Sequence, residues 1–126
     1  MNLEKVVFGF FVLLAATLNF GFFIGDLGDP RVHNVYELFA AVVVNLIAVV
    51  LKFGDRTQIG AVQLATSLVA SLQLIAAAVV WTAVTATSTL TAESTSSVVS
   101  LSGGALLANL VSVTLLVSET VSYQRR

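Results

Sequence analysis

The stretch IGAVQLATSLVASLQLIAAAVVWTAV, residues 59–84, contains no charged side chain, and the uncharged run around it extends from Thr57 to Ala92. A helix needs about 20 apolar residues to cross a hydrocarbon core of about 30 Å. The run therefore predicts one membrane span followed by a polar outer connection, TATSTLTAEST at residues 85–95. Three more apolar runs lie at residues 6–25, 36–53 and 98–117, free of charge except for Glu37 and Lys52 at the ends of the 36–53 run. Together they predict an all-α polytopic membrane protein, a single integral membrane domain over residues 1–126 built as a four-transmembrane-helix bundle.

Composition points the same way. Apolar residues make up 57% of the chain and charged residues 10%, with a mean hydropathy of +0.97. Soluble domains carry about 25% charged residues, so this chain cannot cover a water-facing surface. Disorder would require low hydrophobicity and high net charge. A net charge of -1, with six basic residues spread along the chain, leaves no electrostatic footprint for nucleic acid. Without cysteine there is no disulfide framework, thiolate metal site or Cys nucleophile. A cleavable signal peptide is the competing reading of the first run. Glu4 offsetting Lys5, an over-long apolar core and no small-x-small cleavage site argue against it.

The connections GDLGDPR and KFGDRTQIG carry turn residues, and Pro30 lies in the first of them, where it breaks no span. Tyr36, Trp81 and Tyr123 suit interfacial anchors. Cytoplasmic loops are enriched in Lys and Arg. Lys5, Lys52, Arg56, Arg125 and Arg126 fall on one side of the four spans and only Arg31 on the other. Both termini are therefore expected in the cytoplasm (N-in/C-in), with the acidic first loop and the Ser/Thr-rich third loop outside.

Each span holds an amide: Asn19, Asn45, Gln73 and Asn109, with Gln63 a second one nearer the inner end of span three. At about 1.5 Å per residue, Asn45 and Asn109 sit about 12 Å from their inner ends, and Asn19 and Gln73 about 20 Å from theirs. Helical spacing places small or weakly polar residues beside them: Ala15 and Ala16; Ala41, Ala48 and Lys52; Thr66, Ala70 and Ala77; Ser102, Ala105 and Ser112. Such faces are expected to point inward. Two explanations stand. Small residues and amides can simply pack helices and bond across them, or the amide oxygens can line an ion pathway by replacing part of a hydration shell.

Charges gather at the span ends. Asp26, Asp29 and Glu37, near His33, could attract a cation to an outer mouth. Asp55 and Glu119 follow Asn45 and Asn109 by ten residues and are candidates for an inner mouth. The segments AVVVNLIAVVLKFGD and ALLANLVSVTLLVSE look alike, which would relate spans one and two to spans three and four by a two-fold axis along the membrane normal. Six of the eight Phe lie in span one, near its ends and on several faces, which suits lipid or a subunit interface.

The segment VVVNLIAVVL, residues 42–51, resembles the Asn-containing second span of the small four-helix bacterial fluoride channels, making Asn45 the equivalent of that Asn. The likeness covers one helix of four. The Gly-rich first span with an Arg and the Phe/Thr/Ser-rich break in the third span are both missing. The whole chain resembles uncharacterised families of small four-helix bacterial inner-membrane proteins. A multi-pass location in a bacterial inner (cytoplasmic) membrane is what that likeness implies.

No His, Cys, Asp or Glu lies in the middle of any span, so no catalytic residue, metal centre or cofactor is expected. The same absence disfavours proton coupling, and the chain lacks the first-span Glu of small multidrug-resistance exporters. What is left is a homo-oligomer in the lipid bilayer, passing a small ion, preferably a cation, along amide-lined faces. The alternative is a non-conducting accessory or scaffold subunit of a larger membrane transporter.

Overall fold

The computed structural model describes residues 3–24, 29, 33–55 and 57–124. Four helices make up nearly all of this: α1 Leu3–Phe23, α2 Val35–Lys52, α3 Gln58–Thr87 and α4 Ala92–Gln124. Each is long and apolar enough to cross a membrane. The protein is an all-α, four-helix membrane protein.

The helices start where the sequence offers capping oxygens. The Asn34 side chain accepts from Tyr36 N–H to begin α2, and Thr57 Oγ1 accepts from Gly60 N–H to begin α3. Thr91 and Ser94 bond reciprocally, hydroxyl to backbone N–H, at the start of α4. Two of the helices outrun the charge-free runs. Of the expected outer connection at 85–95, only residues 88–91 lie outside helix. Thr85, Thr87 and Ser88 donate their hydroxyls to carbonyls one turn back, which extends α3 through residues that hydropathy alone assigns to a loop.

Contacts fix the arrangement. Lys5, near the start of α1, pairs with Glu119, near the end of α4, and Phe8 lies under Lys52, the last residue of α2. At the other end Phe22 touches both His33 and Trp81. Successive helices are therefore antiparallel. Close packing joins α1 to α2, α2 to α3, α3 to α4, and α4 back to α1. The bundle is a square in which α1 faces α3 and α2 faces α4 along the diagonals.

A stripe with alternating spacings of three and four residues runs down the buried side of every helix: Phe8, Val12, Ala15, Asn19 and Phe22 on α1; Leu38, Ala41, Asn45, Ala48 and Lys52 on α2. On α3 it is Gly60, Gln63, Ser67, Ala70, Leu74 and Ala77, and on α4 Thr95, Val98, Ser102, Ala105, Asn109 and Ser112. That spacing keeps one seam facing its partners, as in other left-handed helix bundles. Two apolar clusters occupy it. The larger, toward the outer end, includes Phe22, Leu38, Ala70, Leu74, Val98, Val99 and Ala105. A smaller one at the Lys5 end has Phe8, Val12 and Ala48, flanked by Leu51, Val113 and Leu116.

Close approach sets two positions on α4. A methyl group at Gly103 would press on the Phe23 ring, and one at Gly104 on the Gln73 amide. Gly54, between α2 and α3, has φ of 94° with open space around it. Gly54→Ala therefore strains only the backbone and is expected to destabilise the protein by about 1 kcal/mol. Thermal unfolding in detergent, followed by the fluorescence of Trp81, measures it.

Candidate functional site

The amide-bearing faces meet inside this one bundle. Asn19, Asn45, Gln63 and Asn109 are all buried, and Gln73 is half-buried at the edge of α3 against Gly104. The inward face of α3 is therefore centred on Gln63, Ser67 and Leu74 rather than on Thr66 and Gln73, a rotation of part of a turn from the face read in the sequence. Gln63, the second amide of that span and the one nearer its inner end, is the fully enclosed one.

The amides divide by what they bond. Asn19, with its amide nitrogen toward Ser102, donates to the Ser102 carbonyl at 2.9 Å and accepts from Leu106 N–H at 2.9 Å. That side chain clamps α1 to the backbone of α4, in the same turn against which Gln73 packs from α3. Asn45 Nδ2 donates to Ala41 O at 2.8 Å within its own helix, which leaves Oδ1 enclosed without a partner. Both amide atoms of Gln63 are enclosed and unbonded, as are Ser71 Oγ, Gln73 Oε1, Thr95 Oγ1 and Ser112 Oγ. Each such group forfeits about 1–3 kcal/mol relative to a bonded one, and hydrocarbon outside the bundle offers no remedy.

Asn45, Gln63 and Ser112 lie, with buried Asn109 and Ser67, between the two apolar clusters, whereas Ser71, Gln73 and Thr95 lie at the level of the outer one. On α2 Asn45 lies between Ala41 of the outer apolar cluster and Ala48 of the inner one. On α4 Asn109 and Ser112 lie between Ala105 and Val113, and on α3 Gln63 and Ser67 lie just inside Ala70. Opposite them α1 contributes only Ala15 and Ala16. The interior thus reads apolar, polar, apolar from one end to the other.

The inner end is charged but largely neutralised. Glu119 Oε2 pairs with Lys5, while its other oxygen, Oε1, is enclosed without a partner. Lys52 is buried, 4.4 Å above the centre of the Phe8 ring, and lies 3.4 Å from Asp55 Oδ2. Asp55 sits in the turn, where Oδ1 accepts from Thr57 N–H at 2.9 Å and from Thr57 Oγ1 at 2.7 Å. A cavity of about 440 Å³ opens here, lined by Glu4, Lys5, Lys52 and Asp55 among others. The two proposed inner-mouth carboxylates thus each meet a lysine, but one belongs to a turn and the other to a helix.

At the outer end Glu37 lies over Gly21, so closely that a methyl group there would collide with its carboxylate. His33, buried, has Nδ1 2.5 Å from Phe22 O. Asp26 lies outside the described residues; Asp29 lies within them, half-buried. Among the described residues no group of three or more His, Cys, Asp or Glu could hold a metal ion. Phe8 and Phe22 are core residues, whereas Phe10 and Phe20 point outward.

A family of unknown function, DUF6394, matches residues 32–120. The chain belongs to this family. No curated protein and no solved structure matches the chain. The match to DUF6394 takes in Asn45, Gln63, Gln73, Asn109, Ser112 and Glu119, and leaves out α1 with its Asn19.

Two outcomes follow from these bonds. Asn19→Leu removes the clamp on α4 and is expected to cost about 1 kcal/mol of stability, seen as a lower unfolding midpoint in detergent. The Asp55 carboxyl is held below its ordinary value, first by the Thr57 N–H, then by the Thr57 hydroxyl, with Lys52 adding to them against a small desolvation cost. A lowered value in the folded state gives stability that is complete above the unfolded value of about 3.9 and is lost as pH falls through the lower folded one. Asp55→Asn keeps an acceptor for Thr57 but cannot titrate. It should narrow the difference in midpoint between about pH 5 and about pH 3 relative to the wild type.

Proposed function

We propose that this is a small multi-pass protein of a bacterial inner membrane that passes a small ion, preferably a cation, through the interior of each four-helix bundle. The observation that carries the reading is the set of enclosed, unbonded oxygens of Asn45, Gln63 and Ser112, with one amide nitrogen, Gln63 Nε2, on the inward stripes of α2, α3 and α4. If these groups served only to pack helices they would pair with one another, as Asn19 pairs with α4. Instead most are left with free hydrogen-bonding capacity, which a dehydrating ion or water can use.

The apolar clusters on either side act in this reading as gates. Phe22, Leu38 and Leu74 close the outer side, and Phe8, Leu51 and Leu116 the inner side. Apolar constrictions of this kind gate by excluding water. With Lys5 and Lys52 at one end, the positive-inside rule puts that end and both termini in the cytoplasm. Copies assemble side by side as a homo-oligomer, each carrying its own pathway, since the amides lie within a protomer and not on its outer surface.

A second reading, a non-conducting accessory subunit, draws on the outward face of α3. There Ala61, Ala65, Ala76, Ala83 and Ala86 are exposed, small enough for a helix of another membrane protein to approach closely.

Ion flux into liposomes containing the purified protein separates the two. Sodium or potassium flux is expected in the wild type, with a loss of about tenfold or more in Asn45→Leu and Asn109→Leu, equivalent to about 1.4 kcal/mol or more in the barrier. No flux with any alkali ion or halide would favour the accessory reading. Flux that survives both substitutions would remove the amides from the mechanism.

A further inference from the structure

We propose that the cavity at the inner end of the bundle holds the headgroup of a single phospholipid, a phosphate diester joined to a primary ammonium, as in phosphatidylethanolamine. The proposal stands apart from the ion pathway, because it uses none of the enclosed amides.

The cavity opens where α1 begins and α2 ends. It measures about 440 Å³, and Glu4, Lys5, Lys52 and Asp55 supply its charged groups, with Phe53 and Gly54 beside them. Contacts hold this wall in place. Lys52 lies 4.4 Å from the centre of the Phe8 ring and 3.4 Å from Asp55 Oδ2, while Lys5 pairs with Glu119 of α4. Lys52 is only 5% exposed, so its ammonium has been taken out of bulk water. The distance to Asp55 is longer than the about 2.7–2.9 Å of a strong bond between charged groups. An ammonium has three donors, and one long bond together with the face of a ring leaves Lys52 with donor capacity to spend on a further oxygen.

The charges select the headgroup. Two lysines and two carboxylates line the cavity, so among the described residues its wall is divided in sign but balanced in sum. The lysines donate to a phosphate diester, and the Asp55 and Glu4 carboxylates accept from a primary ammonium. A purely anionic headgroup would satisfy the lysines but meet both carboxylates with like charge. A trimethylated ammonium would bring the carboxylates no N–H. A divalent cation requires an oxygen set rich in carboxylates, and here two lysines share the wall. Free phosphoethanolamine carries the same groups as the lipid, but the surroundings favour the lipid. Phe53, part of the wall, is 79% exposed, and Val50, three residues before it on α2, is 72% exposed. Acyl chains cover such side chains at no cost, whereas water does not. Basic pockets between helices on the cytoplasmic side of a membrane are where headgroups are recognised, and the lysines that place this end inside are the ones in the wall.

The test is native mass spectrometry of the full-length protein in detergent, with equal amounts of phosphatidylethanolamine, phosphatidylglycerol and phosphatidylcholine bearing the same acyl chains. A single phosphatidylethanolamine per protomer is expected, retained about tenfold better than either of the others, as one hydrogen bond to a charged group would give. The unfolding midpoint, read from Trp81 fluorescence, should rise most with that lipid, because a ligand held only by the folded state stabilises it. Lys52→Met keeps most of the side chain's length and should weaken retention about tenfold. Glu4→Gln, at an exposed position where substitutions disturb folding little, should bring phosphatidylethanolamine down toward phosphatidylcholine, so the test does not hang on the buried lysine alone. Equal retention of the three lipids would overturn the site, as would a preference for phosphatidylglycerol. Retention unchanged in both variants would put the lipid elsewhere on the bundle and overturn the assignment of this cavity. Glycerophosphoethanolamine, the headgroup without acyl chains, should leave the midpoint nearly unchanged at concentrations where the lipid saturates. An equal rise would overturn the lipid as occupant in favour of a soluble phosphoester.

Discussion

Hydrocarbon cannot solvate a polar group, and this constraint, more than hydrophobicity, decides which side of each helix faces in. Leu13, Val43, Leu72 and Leu110 are exposed while Val12, Leu38, Leu74 and Val98 are buried, so apolar residues occupy both sides of every span. In a bilayer that distribution costs nothing, because lipid tails are as apolar as Leu. The polar residues break the degeneracy. Asn19, Asn45, Gln63 and Asn109 must be enclosed, and each fixes the rotation of its helix about its own axis.

Once rotation is fixed, close packing follows from size. α4 offers Gly103 to the Phe23 ring and Gly104 to the Gln73 amide on adjacent residues, so a ring from α1 and an amide from α3 approach the same turn of one helix. The Asn19 clamp on Ser102 and Leu106 lies in that turn as well. The outer half of the bundle is thus tied through backbone contact and apolar filling. Unmet hydrogen-bonding capacity occurs in both halves, at Ser71, Gln73 and Thr95 in the outer one and at Asn45, Gln63 and Ser112 nearer the inner end.

The four-helix class was legible because charge-free runs of sufficient length are rare in any other setting, and the small and amide stripes of α1, α2 and α4 were legible because helical spacing is strict. Three features were not. The Ser/Thr segment after Trp81 reads as a loop by hydropathy, yet Thr85, Thr87 and Ser88 satisfy themselves on the preceding turn and carry α3 on to Thr87. The choice between Gln63 and Gln73 as the inward amide rests on a fraction of a turn, which neighbours such as Gly104 decide and spacing alone does not. The burial of Lys52 depends on the Phe8 ring from another helix, a contact no local pattern announces.

The square arrangement also bears on the likeness between the two halves of the chain. A two-fold axis through its centre carries α1 onto α3 and α2 onto α4, which sets Asn45 against Asn109, Ala48 against Ser112 and Lys52 against Leu116. The correspondence holds along the stripe and fails at its inner end. Asp55 comes after α2 has ended, so its carboxylate is drawn into the turn by Thr57. Glu119 falls while α4 is still helical, on the buried stripe, and turns one oxygen to Lys5 and the other inward. Negative charge at the inner end of the polar layer therefore comes from α4 alone, on the same stripe that holds Ser112. Near-equivalent sequences have been made inequivalent by where each helix stops, and the inner end is correspondingly one-sided: the unbonded hydroxyl of Ser112 and the unbonded carboxylate oxygen of Glu119 both belong to α4.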